Sequence, residues 1–205
     1  MQRLQWLSLC AGLGFAFSAV DPAGAQAGTD LVLNANVRDG HIESSSEPYP
    51  GTSVQWGRAV VLLDAPAADV LAIVQNYGGY KDFLPNFETS RVLSQRGNSA
   101  LIYAQVSVMR GAAHIWAELK IKPHDVGATR VIEAKMTKGN VDLLQATWEV
   151  TPVDAKHTLV AFQIIVDPKL PLPTGLVNDE NTKTARKTLK ALRALLAAHK
   201  PVAKP

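Results

Sequence analysis

The sequence predicts an α+β fold: a curved antiparallel sheet of about seven strands wrapped around one long C-terminal helix, with two short helices after the first strand. Three observations carry this expectation. A strand-like stretch near residue 54 runs directly into a helix start signal. A series of alternating segments with turn residues between them then fills the middle of the chain. One apolar stripe at helical spacing occupies the C-terminal part.

Leu31, Leu33, Ala35 and Val37 alternate with other residues, and Asp39-Gly40 is a hairpin turn signal, so His41 to Glu43 is expected to return as a strand. Ser44 to Gly51, rich in serine and proline, reads as a loop. Residues 28–53 are therefore expected to form an extension with a hairpin, and residues 54–200 the main domain. That domain opens with VQWGRAVVLLD, a strand. Asp64 followed by Pro66 marks a helix start, and the spacing of Val70, Ile73, Val74 and Tyr77 predicts a short helix over Ala65 to Asn76. Gly78-Gly79 ends it, and Tyr80 to Pro85 gives a second helical turn closed by the proline.

Strands follow at Thr89–Gln95, Leu101–Met109, Ala113–Lys122, Arg130–Lys138, Leu143–Thr151 and Thr158–Val166. The turns between them include Arg96-Gly97-Asn98, Arg110-Gly111, Pro123 to Gly127, Lys138-Gly139-Asn140 and Pro152 to Lys156. Short turns at near-regular spacing mean an antiparallel meander. In the third segment Ile115, Ala117, Leu119 and Ile121 oppose Trp116, Glu118, Lys120 and Lys122, so one face needs a cover. The last helix supplies it through Ala185, Leu189, Leu192 and Leu196, while its cations lie largely elsewhere; residues 201–205 form a tail.

Composition is that of a globular protein, 47% hydrophobic and 19% charged, with a net charge of +3 over 205 residues. The charge is uneven: from Lys183 onward there are seven basic residues and no acid, leaving fourteen basic against eighteen acidic before it. A basic helix face is either a solvated surface or a transient contact for anionic membrane; no nucleic-acid motif accompanies it, and nucleic acid is not an expected partner. The N-terminus reads as a cleavable export signal over residues 1–27. Arg3 precedes the apolar run Leu4 to Val20, then Asp21-Pro22 and the small-residue sites Ala23-Gly24-Ala25 and Ala25-Gln26-Ala27. The expected location is periplasmic or secreted. The one cysteine, Cys10, lies inside this signal, so no disulfide or thiolate chemistry is expected after cleavage.

No catalytic motif is present. The histidines at 41, 114, 124, 157 and 199 show no metal-ligand spacing, and neither metal nor cofactor is expected. Glu118, Glu133 and Glu149 alternate with apolar neighbours and are expected at the surface. Tyr103 and Gln105 share a strand face with Ser107 and Met109, and either this set or Ile102, Ala104, Val106 and Val108 points inward; His114 stands at a strand start, where it is either inward or structural.

The order strand, two short helices, a run of strands and a long helix is the helix-grip arrangement. The chain resembles the START-like, or Bet v 1-like, superfamily of polyketide cyclases and lipid-transport proteins, including coenzyme-Q-binding members. The resemblance runs from about Val54 to His199. It is carried by LLDAPAADVLAIV, by NYGGYKDFLPNFETSRVL, by KMTKGNVDLLQATWEVTPV with Gly139 at its turn, and by DPKLPLPTGLVN before the last helix. It implies a cavity between sheet and C-terminal helix, with Leu170, Leu172, Leu176 and Val177 at an entrance stiffened by Pro168, Pro171 and Pro173. The expected lining is Phe83, Leu84, Phe87, Ile115, Met136 and Trp148, together with Phe162, Leu189 and a polar contact from Tyr103. The function implied is an exported, non-enzymatic binder or carrier of a hydrophobic small molecule: a lipid, sterol-like or isoprenoid ligand. Two alternatives stand beside it. One is a cyclase- or hydrolase-type enzyme using Tyr103, Gln105 or His114; the other is a protein-interaction module with a closed core, binding through the N-terminal hairpin or the Trp116 face. The oligomeric state is left open.

Overall fold

The computed structural model describes residues 35–108, Gly111 and residues 113–199. The export signal, the first residues of the expected hairpin (28–34) and the tail 201–205 lie outside the described residues. In chain order the elements are α1 (Ala35–Arg38), β1 (Glu43–Pro48), β2 (Gln55–Leu63), α2 (Ala67–Val74), a single 3-10 turn (Tyr77–Gly79) and α3 (Tyr80–Phe83). Then come β3 (Phe87–Arg96), β4 (Ser99–Val108), β5 (Ala113–Val126), β6 (Thr129–Gly139), β7 (Val141–Pro152), β8 (Thr158–Pro168) and α4 (Thr174–His199). The strands make one sheet in the order β1-β2-β8-β7-β6-β5-β4-β3, every neighbour antiparallel.

Four expectations about elements are corrected. Ala35 to Val37 form a turn of helix, not a strand, because Val37 alone is buried and one helical turn is enough to seat it. Glu43 to Pro48 form an edge strand, where a return strand ending at Glu43 and then a loop were expected. Its backbone pairs with β2 from Glu43↔Val60 to Pro48↔Gln55, and main-chain pairing overrides the weak strand preference of serine. The sheet therefore has eight strands. A polar, proline-ended strand also suits an edge, since it offers a poor template for further pairing. Strand β5 continues through Pro123 to Val126, and the turn shrinks to Gly127 and its neighbour. Asp64 makes no helix cap: Pro66 takes that position with φ −58°, and Asp64 lies 3.7 Å from His157 instead.

Bulges bend the sheet. Register shifts fall between Phe87 and Thr89, Val92 and Ser94, Glu118 and Leu119, and Val141 and Leu143, and each extra residue locally increases strand twist. Because β2 and β3 are at nearly opposite ends of the strand order, the connection between them must cross the hollow of the sheet. That is where α2 and α3 sit: α2 against β7, α3 against β3.

Helix α4 lies over β1, β2 and β8 rather than over the middle of the sheet. Gly57 of β2 permits this, since a Cβ there would overlap the backbone of Asn181 and Thr182. Asn181, only 4% exposed, pegs the helix down. Its Nδ2 donates to Gln55 O (3.0 Å) and Val166 O (3.3 Å), and its Oδ1 accepts from Val166 N (3.2 Å). Asn178 Oδ1 accepts from Gln55 N at 2.8 Å, and Thr182 meets Ser46 of β1 at 2.9 Å. The apolar stripe Ala185, Leu189, Leu192 and Leu196 then buries itself in the core as expected.

Candidate functional site: an apolar groove open at one end

The strands are antiparallel, so the sheet has two distinct ends. At one end lie Leu63, Ile102, Ile121, Ile132 and Val150 on the hollow face, each 2% exposed or less. At the other end the same face carries Phe87, Val106 and Ile115 in direct cross-strand register, followed by Met136, Leu144, Ala146 and Ile164, and all seven are only half-buried. The hollow face is thus fully buried at one end and, at the other, lined by an apolar wall that stays half-exposed. Phe83 of α3 adds a further half-buried ring beside Tyr80, and Leu84 is buried just behind it.

Trp148 and Phe162, paired across β7 and β8 with ring centroids 4.5 Å apart, form the floor between groove and packed end, with Leu189 of α4 in the same buried cluster. Tyr80 is fixed beneath α2 by its hydroxyl donating to Val74 O, and Ser90 Oγ donates to Tyr77 O. Burial pushes the Tyr80 phenol far above its ordinary pKa and raises that of Tyr77, so both stay neutral.

The segment Lys169 to Pro173 stands at the open end, where β8 finishes and β3, β5 and β7 begin. Leu170, Leu172 and Leu176 are 48%, 37% and 51% exposed. They are a rim and not a seal, since a seal would bury them. Pro173 O accepts from the amides of Leu176 and Val177, which starts α4 immediately after the prolines. Val177 does not face the opening as expected; it is buried in a separate small cluster with Val54 and Ile165.

Tyr103 also departs from its expected place. Ile102 and Ala104 are the inward residues of β4, which puts Tyr103, Gln105 and, on β5, His114 on the outer face of the sheet. There they form one polar network: Tyr103 Oη donates to Gln105 Oε1 (3.1 Å), Gln105 Nε2 donates to Glu88 Oε2 (2.8 Å), and His114 Nε2 lies 3.0 Å from Glu88 Oε1. Beside it the Arg91 guanidinium, the stacked Tyr103 and Trp116 rings and the Lys138 amine form a ladder over the same face. Glu149, expected at the surface, is buried on this face. It accepts two hydrogen bonds from Arg58, which is itself 4% exposed and is completed by Gln163 and Glu47.

Of the residues nominated from sequence, Phe83, Phe87, Ile115 and Met136 come together as groove wall. Trp148, Phe162, Leu84 and Leu189 form its buried support, and Leu172 and Leu176 its rim. Leu144, Ala146 and Ile164 were missed as wall residues, while Val106 stood in one of the two alternative inward sets of β4. The signal for the three missed was available, because Leu144 and Ala146 are in strand phase with Trp148, and Ile164 with Phe162. Among the described residues no cluster of His, Cys, Asp and Glu could hold a metal ion, and no helix is long and apolar enough to cross a membrane.

The family described as polyketide cyclase/dehydrase and lipid transport matches residues 63–193, and the chain belongs to it. It is a START-like protein of the helix-grip fold. Solved structures agree on the fold. A STAR-related lipid transfer protein from Xanthomonas axonopodis is 20% identical, with a TM-score of 0.65 over 76% of this chain and 93% of its own. Human STARD10 is 15% identical, with a TM-score of 0.66 over 77% of this chain and 70% of its own. The Zhui aromatase/cyclase from Streptomyces sp. R1128 is 16% identical, with a TM-score of 0.52 over 80% of this chain and 98% of its own. No curated protein is significantly similar in sequence.

Proposed function

We propose that this protein is an exported binder or carrier of a hydrophobic small molecule, a lipid, sterol-like compound or isoprenoid, held in the groove between the sheet and α4. The observation that carries the reading is the gradient of burial along one face of the sheet, from Ile121, Ile132 and Val150 to the half-buried Ile115, Met136 and Leu144. An apolar wall left uncovered in water costs free energy that a ligand chain recovers. Burying about ten methylenes supplies on the order of 8 kcal/mol gross, before ordering costs. The family description and the lipid transfer protein from Xanthomonas support the same reading. The aromatase/cyclase neighbour keeps an enzyme of cyclase type as the competing class, but Tyr103, Gln105 and His114 offer it no groove chemistry from the outer face.

In this reading the ligand enters past Leu170, Leu172 and Leu176, whose exposed side chains suit contact with a membrane surface. The signal at residues 1–27 would deliver the protein to the periplasm, and the N-terminal sequence of the exported protein checks it. The binding test is native mass spectrometry of protein purified without detergent from its own host, followed by organic extraction. A stoichiometric lipid-like adduct is the expected result. A clean protein mass, with no uptake from a lipid extract, overturns the carrier reading.

A further inference from the structure

A second concavity, independent of the groove, lies on the flank of α4 that faces β1. It is a cleft of about 600 Å³ lined by Arg186, Lys187, Lys190 and Arg193 of the helix and by the turn Asp39 to Ile42. The flank is defined by Thr182, which meets Ser46 of β1; Arg186 and Arg193 follow it at four and eleven residues, close to whole helical turns. The turn is held opposite them by Arg193 Nη1, which donates to Gly40 O at 2.7 Å, and by Ile42, which packs on the core. Gly40 has φ +77°, so the chain reverses sharply there and makes a wall.

We infer that this cleft binds a phosphate group. Four cations and His41 face one carboxylate, Asp39. Among the described residues no carboxylate forms an ion pair with Arg186, Lys187, Lys190 or Arg193. The helix dipole does not account for them, because its favourable effect on cations is confined to the last turn, and Arg186 to Lys190 stand well inside a helix that ends at His199. A tetrahedral oxyanion accepts several hydrogen bonds from guanidinium and ammonium donors at once, and a concave wall restricts the group it takes to one of small size. Two sources share this chemistry: a soluble phosphate ester and the headgroup of an anionic phospholipid.

The test uses the protein purified from its own host and two double variants, Arg186→Ala/Lys190→Ala in the cleft and Lys120→Ala/Lys135→Ala on the outer sheet face. Calorimetric titration with inorganic phosphate and glycerol phosphate reports the soluble source. Flotation with phosphatidylcholine vesicles, with and without phosphatidylglycerol, reports the headgroup. Binding in either arm, weakened about tenfold for each cation removed from the cleft and little changed by the outer-face pair, is the expected result. Absence of binding in both arms, or equal weakening by the two double variants, overturns the site, the latter because it reports net charge alone. Neither arm depends on occupancy of the groove.

Discussion

Gly57 of β2 and Asn181 of α4 meet backbone to backbone, so closely that a Cβ on the glycine would overlap the helix. This contact sets how far α4 is drawn toward the β1 edge and therefore how much of the sheet's hollow face it leaves uncovered. Gly57→Ala forces the helix outward at its most heavily hydrogen-bonded point. A loss of about 3 kcal/mol in urea unfolding is expected, together with weaker ligand retention in native mass spectra.

Asn181 supplies the polar half of the same anchor. Asn181→Ala leaves Gln55 O and both main-chain groups of Val166 without their side-chain partner in a buried setting. The expected cost is about 2 kcal/mol, and the Val166 amide should lose hydrogen-exchange protection before its neighbours do. An unchanged exchange rate would show that the helix is held by its apolar stripe alone.

Filling the groove separates binding from folding. Ala146 is half-buried on the groove wall, in register with Ile164, so Ala146→Phe places a ring in the open space. Ligand uptake should disappear while stability changes by less than about 1.5 kcal/mol. Retained uptake would move the binding site elsewhere.

On the outer face, Glu149→Ala strands the buried Arg58 guanidinium with Gln163 and Glu47 as its remaining partners. A destabilisation of about 3 kcal/mol is expected by chemical denaturation. The double variant Arg58→Met/Glu149→Leu should recover most of it, because the cost comes from an uncompensated charge and not from lost packing.

The turn before β8 responds to acid. Asp154 accepts hydrogen bonds from the Lys156 and His157 amides and from the His157 ring, and these hold its carboxyl below the ordinary aspartate pKa. A depressed folded-state pKa means a stabilisation that is complete above the unfolded value and is lost as pH falls through the lower folded one. The Tm difference between wild type and Asp154→Ala should therefore be largest at neutral pH and shrink to nothing in strong acid. A difference independent of pH would assign the effect to the turn backbone instead.

The meander from Phe87 to Pro168 was legible because several strands alternate plainly and glycine, asparagine or proline residues mark the turns between them. Edge strand β1 was not, since its serines carry no alternation and it exists through main-chain pairing with β2. Phe83, Phe87, Ile115 and Met136 could be nominated for the groove from apolar character together with the cavity that the family resemblance implies. Glu149 and Tyr103 were misplaced for related reasons. Alternation assigns Glu149 to the outer face correctly but is silent on the Arg58 that buries it there, and in β4 both faces carry residues able to face inward.

The sequence by itself determined the element order from β2 onward, the long basic helix and the resemblance to the START-like class, because hydrophobic period, turn chemistry and helix signals are local properties of the chain. The tertiary structure decided which strand joins the edge, where α4 rests, which end of the hollow is left open, and that four cations of α4 face a turn more than a hundred residues earlier in the chain. Those outcomes depend on contacts between distant segments, such as Gly57 with Asn181, and no local pattern encodes how two elements meet in space.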